Sequence, residues 1–158
     1  MINVGEHFAG VWFVVFVPSL AADAILNSFL GRVAVGDYVA LQAFIAPSAQ
    51  ITELLQQLRH LVRDRDRVAT TTGYGPRFLH STGQLHKGGP GSVLFIQFVD
   101  EPGTDLEVPE TDFSFGRVLS AQADGDAAAL VQRDRRLLRV NLGSDPSDGL
   151  ARLASSLD

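Results

Sequence analysis

VATTT (Val68–Thr72) runs directly into GYGPRFLHSTGQLHKGGP (Gly73–Pro90), and the chain soon resumes as VLFIQFV (Val93–Val99). The first segment is rich in β-branched residues, which suit the pleated surface of a strand. The last is apolar apart from Gln97, the pattern of a buried strand. Between them, Gly73, Gly75 and Pro76 make a turn. Arg77–Lys87 then reads as a short helix that Gly88-Gly89 ends. Gly83 weakens such a helix, so an interrupted turn is the alternative. Strand, turn, helix and strand make the unit of an open α/β sheet, in which ligands sit beyond the carboxyl ends of the strands.

The flanking sequence repeats that alternation. Upstream, DYVALQAFI (Asp37–Ile45) reads as another buried strand, stopped by Pro47. Ser48 or Thr52 starts a helix whose apolar residues Ile51, Leu54, Leu55, Leu58, Leu61 and Val62 recur at helical spacing. Its end, RDRDR (Arg63–Arg67), alternates in sign and reads as a solvated helix terminus. Earlier still, Val11–Val17 reads as a strand and Ala21–Leu30 as a helix. The window Phe8–Leu30 has the length of a membrane span, but Pro18, Ser19, Asp23 and Asn27 interrupt it. No Lys or Arg precedes it, so the basic start of a signal peptide is missing. Downstream, Glu101–Asp112 is an acidic loop. Thr111 or Ser114 starts a helix through Gln122, and Asp126 caps another through Arg133. Leu137–Leu142 reads as a last strand and Ser147–Ser155 as a last helix. The expected fold is an α/β three-layer sandwich with a mainly parallel sheet, in one domain spanning the 158 residues.

Composition narrows the function classes. Apolar residues make up 46% and charged residues 20% of the chain, the balance of a globular protein. The net charge of −5 argues against nucleic acid as a partner. There are no cysteines, which excludes disulfides, thiolate catalysis and cysteine-based zinc sites. We expect a cytoplasmic protein that meets no membrane.

Gly73–Pro90 gathers Arg77, His80, Gln84, His86 and Lys87, the only lysine of the chain. Such a mixture of polar functions on a glycine- and proline-bounded loop points to binding or catalysis. On a continuous helix His80, Gln84 and Lys87 share one face. Histidine titrates nearest neutrality and suits proton transfer; in such a setting it is more often a hydrogen-bonded structural residue. Arg77 either ties the loop to a carboxylate or meets a phosphate. His86 and Lys87 either bind substrate or meet only solvent or a neighbouring carboxylate. The six-residue spacing of His80 and His86 matches no common metal-ligand pair, so no metal is expected. No cofactor is expected either: there is no P-loop, no dinucleotide fingerprint and no nucleophile elbow around Ser81.

GYGPRFLHSTGQLHKGGP resembles the C-terminal region of the glucose-6-phosphate isomerase half of bacterial transaldolase/glucose-6-phosphate isomerase fusion proteins. Leu79-His80-Ser81-x-Gly83-Gln84 is similar to the LHS-x-GQ stretch of ordinary bacterial glucose-6-phosphate isomerases. The resemblance runs from about Asp37 to about Leu153. It implies the same three-layer sugar-isomerase architecture and an aldose–ketose isomerisation of a sugar phosphate in glycolysis or gluconeogenesis. It implies a catalytic role for His80 in ring opening and proton handling, with Arg77, Gln84, His86 and Lys87 as substrate-binding residues. The family's C2 base is a glutamate upstream of the histidine motif. Only Glu6 and Glu53 precede His80 here, and neither lies in a matching pattern. The resemblance therefore implies a partial domain. Either it completes its site with another lobe, another copy or a second isomerase-like chain, or it is a non-catalytic sugar-phosphate-binding or regulatory module.

Overall fold

A computed structural model describes residues 12–13, 20–101 and 103–158 of the chain. Five strands form one sheet: β1 (Trp12–Phe13), β2 (Tyr38–Phe44), β3 (Ala69–Tyr74), β4 (Val93–Val99) and β5 (Arg136–Asn141). Their order is β1-β5-β4-β2-β3, and every neighbouring pair is parallel. Most of the expected Val11–Val17 strand lies outside the described residues; its Trp12–Phe13 part pairs with Leu138 and Arg139. Among the described residues, no helix is long and apolar enough to cross a membrane.

The helices are α1 (Leu20–Leu30), α2 (Ala49–Asp66), α3 (Thr82–Gly88), α4 (Phe115–Val131) and α5 (Pro146–Leu157), with a 3-10 turn at Arg77–His80. Ser48 caps α2: its hydroxyl accepts from the Ile51 N–H at 3.1 Å, which satisfies one of the free donors of the first turn. The helical stripe of α2 buries Ile51, Leu55, Leu58 and Val62. It joins α1 and α5 over Leu41, Ile96, Leu138 and Val140 of one sheet face. On the other face Ala127 and Leu130 of α4 pack on Ala40, Phe95 and Leu137. Strand residues alternate between faces, so each strand feeds both cores, and the result is an α/β/α sandwich. The charged RDRDR run forms the exposed end of α2, where Arg63 bonds Asp64 and Arg67 adopts the left-handed conformation of a helix cap.

One helix assignment is corrected. Residues 115–131 form a single helix, capped by Ser114, whose hydroxyl accepts from the Arg117 N–H at 3.3 Å. Asp126 does not start a second helix. It lies inside α4, buried, because its carboxylate faces Lys87 rather than a helix N-terminus.

Candidate functional site

The sheet's connectivity creates a switch point. From β2 the chain crosses to β3 on one side through α2, while from β4 it crosses to β5 on the other side through α4. The two connections leave opposite faces, so the chain parts beyond the paired ends of β2 and β4 and leaves a crevice there, the usual ligand position in this architecture. A cavity of about 460 Å³ lies there. Phe44 ends β2 on one side of it, and Val99 and Asp100 end β4 on the other. Ser114, Gly116, Arg117, Leu119 and Ser120, from the start of α4, complete the wall with Asp105.

Asp105 is committed to the fold. Its Oδ1 accepts from the Gly116 N–H and the Leu106 N–H, both at 2.8 Å. A hydrogen bond from Ser114, followed by these backbone donors, holds its carboxyl below the ordinary carboxylate range. Gly116 is required for this approach: a Cβ there would lie 2.6 Å from Asp105 Oδ2. Asp100 is different. Burial raises its carboxyl pKa, opposed only by a hydrogen bond to its own backbone N–H. A carboxyl in that state, set in a cleft, marks a candidate functional group.

Gly73–Pro90 lies beside this cavity, separated from it by an aromatic wedge. Phe78 of the 3-10 turn meets Phe44 edge-on, with ring centroids 5.6 Å apart. Leu79, Val99 and Leu119 pack against the same cluster. The helix expected over Arg77–Lys87 is interrupted. A 3-10 turn ends at His80, Ser81 breaks the run, and α3 begins at Thr82. His80, Gln84 and Lys87 therefore do not share one continuous helical face.

The five residues singled out from the sequence divide into two groups. His80 is exposed at the end of the 3-10 turn and has no protein hydrogen-bond partner among the described residues. Arg77 is also exposed, with its guanidinium 5.5 Å from the centroid of the Tyr74 ring. Gln84 is exposed and its amide donates weakly to the Leu79 carbonyl at 3.5 Å. His86 and Lys87 turn inward instead. The His86 ring packs between Phe78 and Phe95, and its Nδ1 lies 3.4 Å from Gln42 Nε2. Burial pushes its imidazole below the ordinary value of 6.5; Asp126 pulls it up and Lys87 pushes it further down. Lys87 Nζ lies 2.7 Å from Asp126 Oδ1, whose side chain is 1% exposed.

The inward group belongs to a polar row across the sheet. Gln42, Gln97 and Arg139 are register partners on β2, β4 and β5. Gln42 meets His86 of α3. Gln97 donates to the Ala123 carbonyl of α4 at 3.2 Å, and Arg139 pairs with Asp124 at 2.5 Å. Arg135 adds hydrogen bonds to the Lys87 and Gly89 carbonyls. These contacts pin α3 and α4 to the sheet, because a buried polar group is tolerable only when it is hydrogen-bonded. The same wall leaves His80, Arg77 and Gln84 outward. The Asp100 cavity carries no sequence motif. Its one available signal is the position of Asp100 directly after a buried strand, at the start of an acidic loop.

No protein-family model matches the chain, and comparison with curated proteins gives no match. Among solved structures, the chain is similar to the crystal structure of hypothetical protein TT0462 from Thermus thermophilus, with a TM-score of 0.65 and 18% sequence identity. The match covers 86% of this chain and 38% of that one, so this chain spans less than half the length of that protein. The likeness supports the α/β/α sandwich.

Proposed function

We propose that this chain is a partial sugar-isomerase-like domain, cytoplasmic, that presents His80 to a sugar phosphate in a site completed by another copy or a second isomerase-like chain. The observation that carries this reading is the exposure of His80 on a fixed platform. Its neighbours Phe78 and His86 are buried, while its own imidazole faces outward without a protein partner among the described residues. The resemblance of Leu79–Gln84 to the histidine motif of glucose-6-phosphate isomerases supplies the chemistry. Conversion of an aldose phosphate to a ketose phosphate passes through an enediol, with one group opening the ring and another carrying the proton between C1 and C2. An exposed imidazole suits ring opening. Arg77 and Gln84, both outward, supply a charged and a neutral donor for the phosphate and the hydroxyls.

The C2 base is the part this chain does not supply in a recognisable pattern, and that favours a composite site. Leu85, Leu106, Phe113 and Phe115 are exposed, apolar surface of the kind that another chain covers. The second reading, a sugar-phosphate-binding module without catalysis, uses the same outward residues. A coupled assay of fructose 6-phosphate to glucose 6-phosphate conversion separates the two. The purified chain should be active alone if another copy completes the site, or should raise turnover only when added to an extract lacking its own isomerase if a second chain does, and His80→Ala should abolish either gain. Binding without any gain favours the module.

A further inference from the structure

We infer that the cavity between the carboxyl ends of β2 and β4 is a binding site for an uncharged polyhydroxylated molecule, a sugar ring or an open polyol, with Asp100 as its acceptor and Arg117 as its donor. This inference is independent of the isomerase reading, since none of Arg77, His80 and Gln84 lines the cavity. Three observations carry it. The cavity lies at the switch point, where this architecture places ligands, and its volume of about 460 Å³ is that of a small-molecule site. Asp105 has already taken its donors from Leu106 and Gly116. Asp100 accepts only from its own backbone N–H, so its carboxyl is the acceptor left over for a ligand. Arg117 lines the same cavity, and its side chain makes no hydrogen bond or ion pair among the described residues.

The wall chemistry selects the ligand class. A hydroxyl donates to a carboxylate and accepts from a guanidinium, so a polyol satisfies both Asp100 and Arg117. Ser120 adds a hydroxyl of either sense, and Phe44, Val99 and Leu119 offer an apolar wall to the C–H face of a sugar. Two carboxylates against one guanidinium leave the wall net negative, which disfavours a phosphate or carboxylate inside it.

Backbone amide NMR of the intact chain during titration with glucose, sorbitol, glucose 6-phosphate and inorganic phosphate tests this. Saturable shifts at Val99, Glu101, Gly116 and Arg117 are expected with glucose or sorbitol, and no stronger ones with glucose 6-phosphate. Asp100→Asn should weaken the interaction about tenfold, the loss expected of one hydrogen bond to a charged group. Ser120→Leu, which fills the cavity without touching the carboxyl, should do the same, while His80→Ala should leave it unchanged. The inference is overturned if neither polyol shifts these amides, if both cavity variants bind like the wild type, or if inorganic phosphate shifts them saturably.

Discussion

Lys87 Nζ and Asp126 Oδ1 lie 2.7 Å apart, with the aspartate side chain 1% exposed and the lysine side chain 21% exposed. The only lysine of the chain is thus a bolt between α3 and α4. Removing it leaves a buried carboxylate whose second oxygen has no partner among the described residues. Lys87→Ala should therefore destabilise the fold by about 2–4 kcal/mol, below the upper end for buried pairs because the lysine is partly solvated. The double replacement Lys87→Met with Asp126→Leu should recover most of that loss. Urea unfolding of the three chains checks both statements.

His86 makes stability depend on pH near neutrality. Burial lowers its folded pKa below the ordinary 6.5, so between that lowered value and 6.5 the unfolded chain holds more protons than the folded one. Stability from this group is present above 6.5 and is lost as the pH falls through the folded value. Thermal melts from about pH 7.5 down to about pH 5 should show a falling midpoint. The His86→Gln chain should show a flatter profile over that range.

A second pH effect lies lower. Arg136 donates to both oxygens of Asp37 at 2.8 Å, and the Ala34 N–H adds a third hydrogen bond. The Arg136 hydrogen bonds, above all, hold the Asp37 carboxyl below its ordinary 3.8. Its stabilisation is present above 3.8 and lost as the pH falls through the folded value. Asp37→Asn should cost roughly 1.5–3 kcal/mol at neutral pH and remove this part of the acid transition. Acid titration followed by circular dichroism measures it.

Gly75 decides how closely the turn after β3 approaches β2. Its N–H donates to the Ala43 carbonyl at 2.9 Å, and a Cβ there would lie 2.3 Å from the Phe44 ring. That ring is buried and wedged against Phe78. Gly75→Ala should destabilise by about 1–3 kcal/mol, the cost of overpacking a filled core. It should also broaden the amide signals of Phe78 and Val99, which pack in the same cluster.

These predictions fall where the sequence is least informative. Nearly continuous apolar runs at Tyr38–Phe44 and Val93–Val99, each interrupted by one glutamine, reveal strands buried on both faces, and the spacing from Ile51 to Val62 reveals α2, because those patterns are local. The role of Gln42 is not local: its partner His86 is 44 residues away, and only the register of β2 against β4 brings α3 over it. The sequence leaves Lys87 open to a phosphate or to a carboxylate, and nothing near it announces Asp126, beyond β4 and inside α4. The segment Gly73–Pro90 is legible as unusual but not in its orientation. The break at Ser81 turns His86 and Lys87 inward while His80 stays out. The Asp100 cavity arises from the order of strands, which no single stretch encodes.

That His80 meets a sugar phosphate is tested most directly by imidazole NMR during titration of the chain with fructose 6-phosphate. His60, exposed on α2 and hydrogen-bonded to Arg59, serves as an internal control. Saturable movement of the His80 ring signals is expected at millimolar ligand, with little movement at His60 and loss of the response in Arg77→Ala. Unchanged His80 signals, or equal drift at His80 and His60, would contradict the proposal.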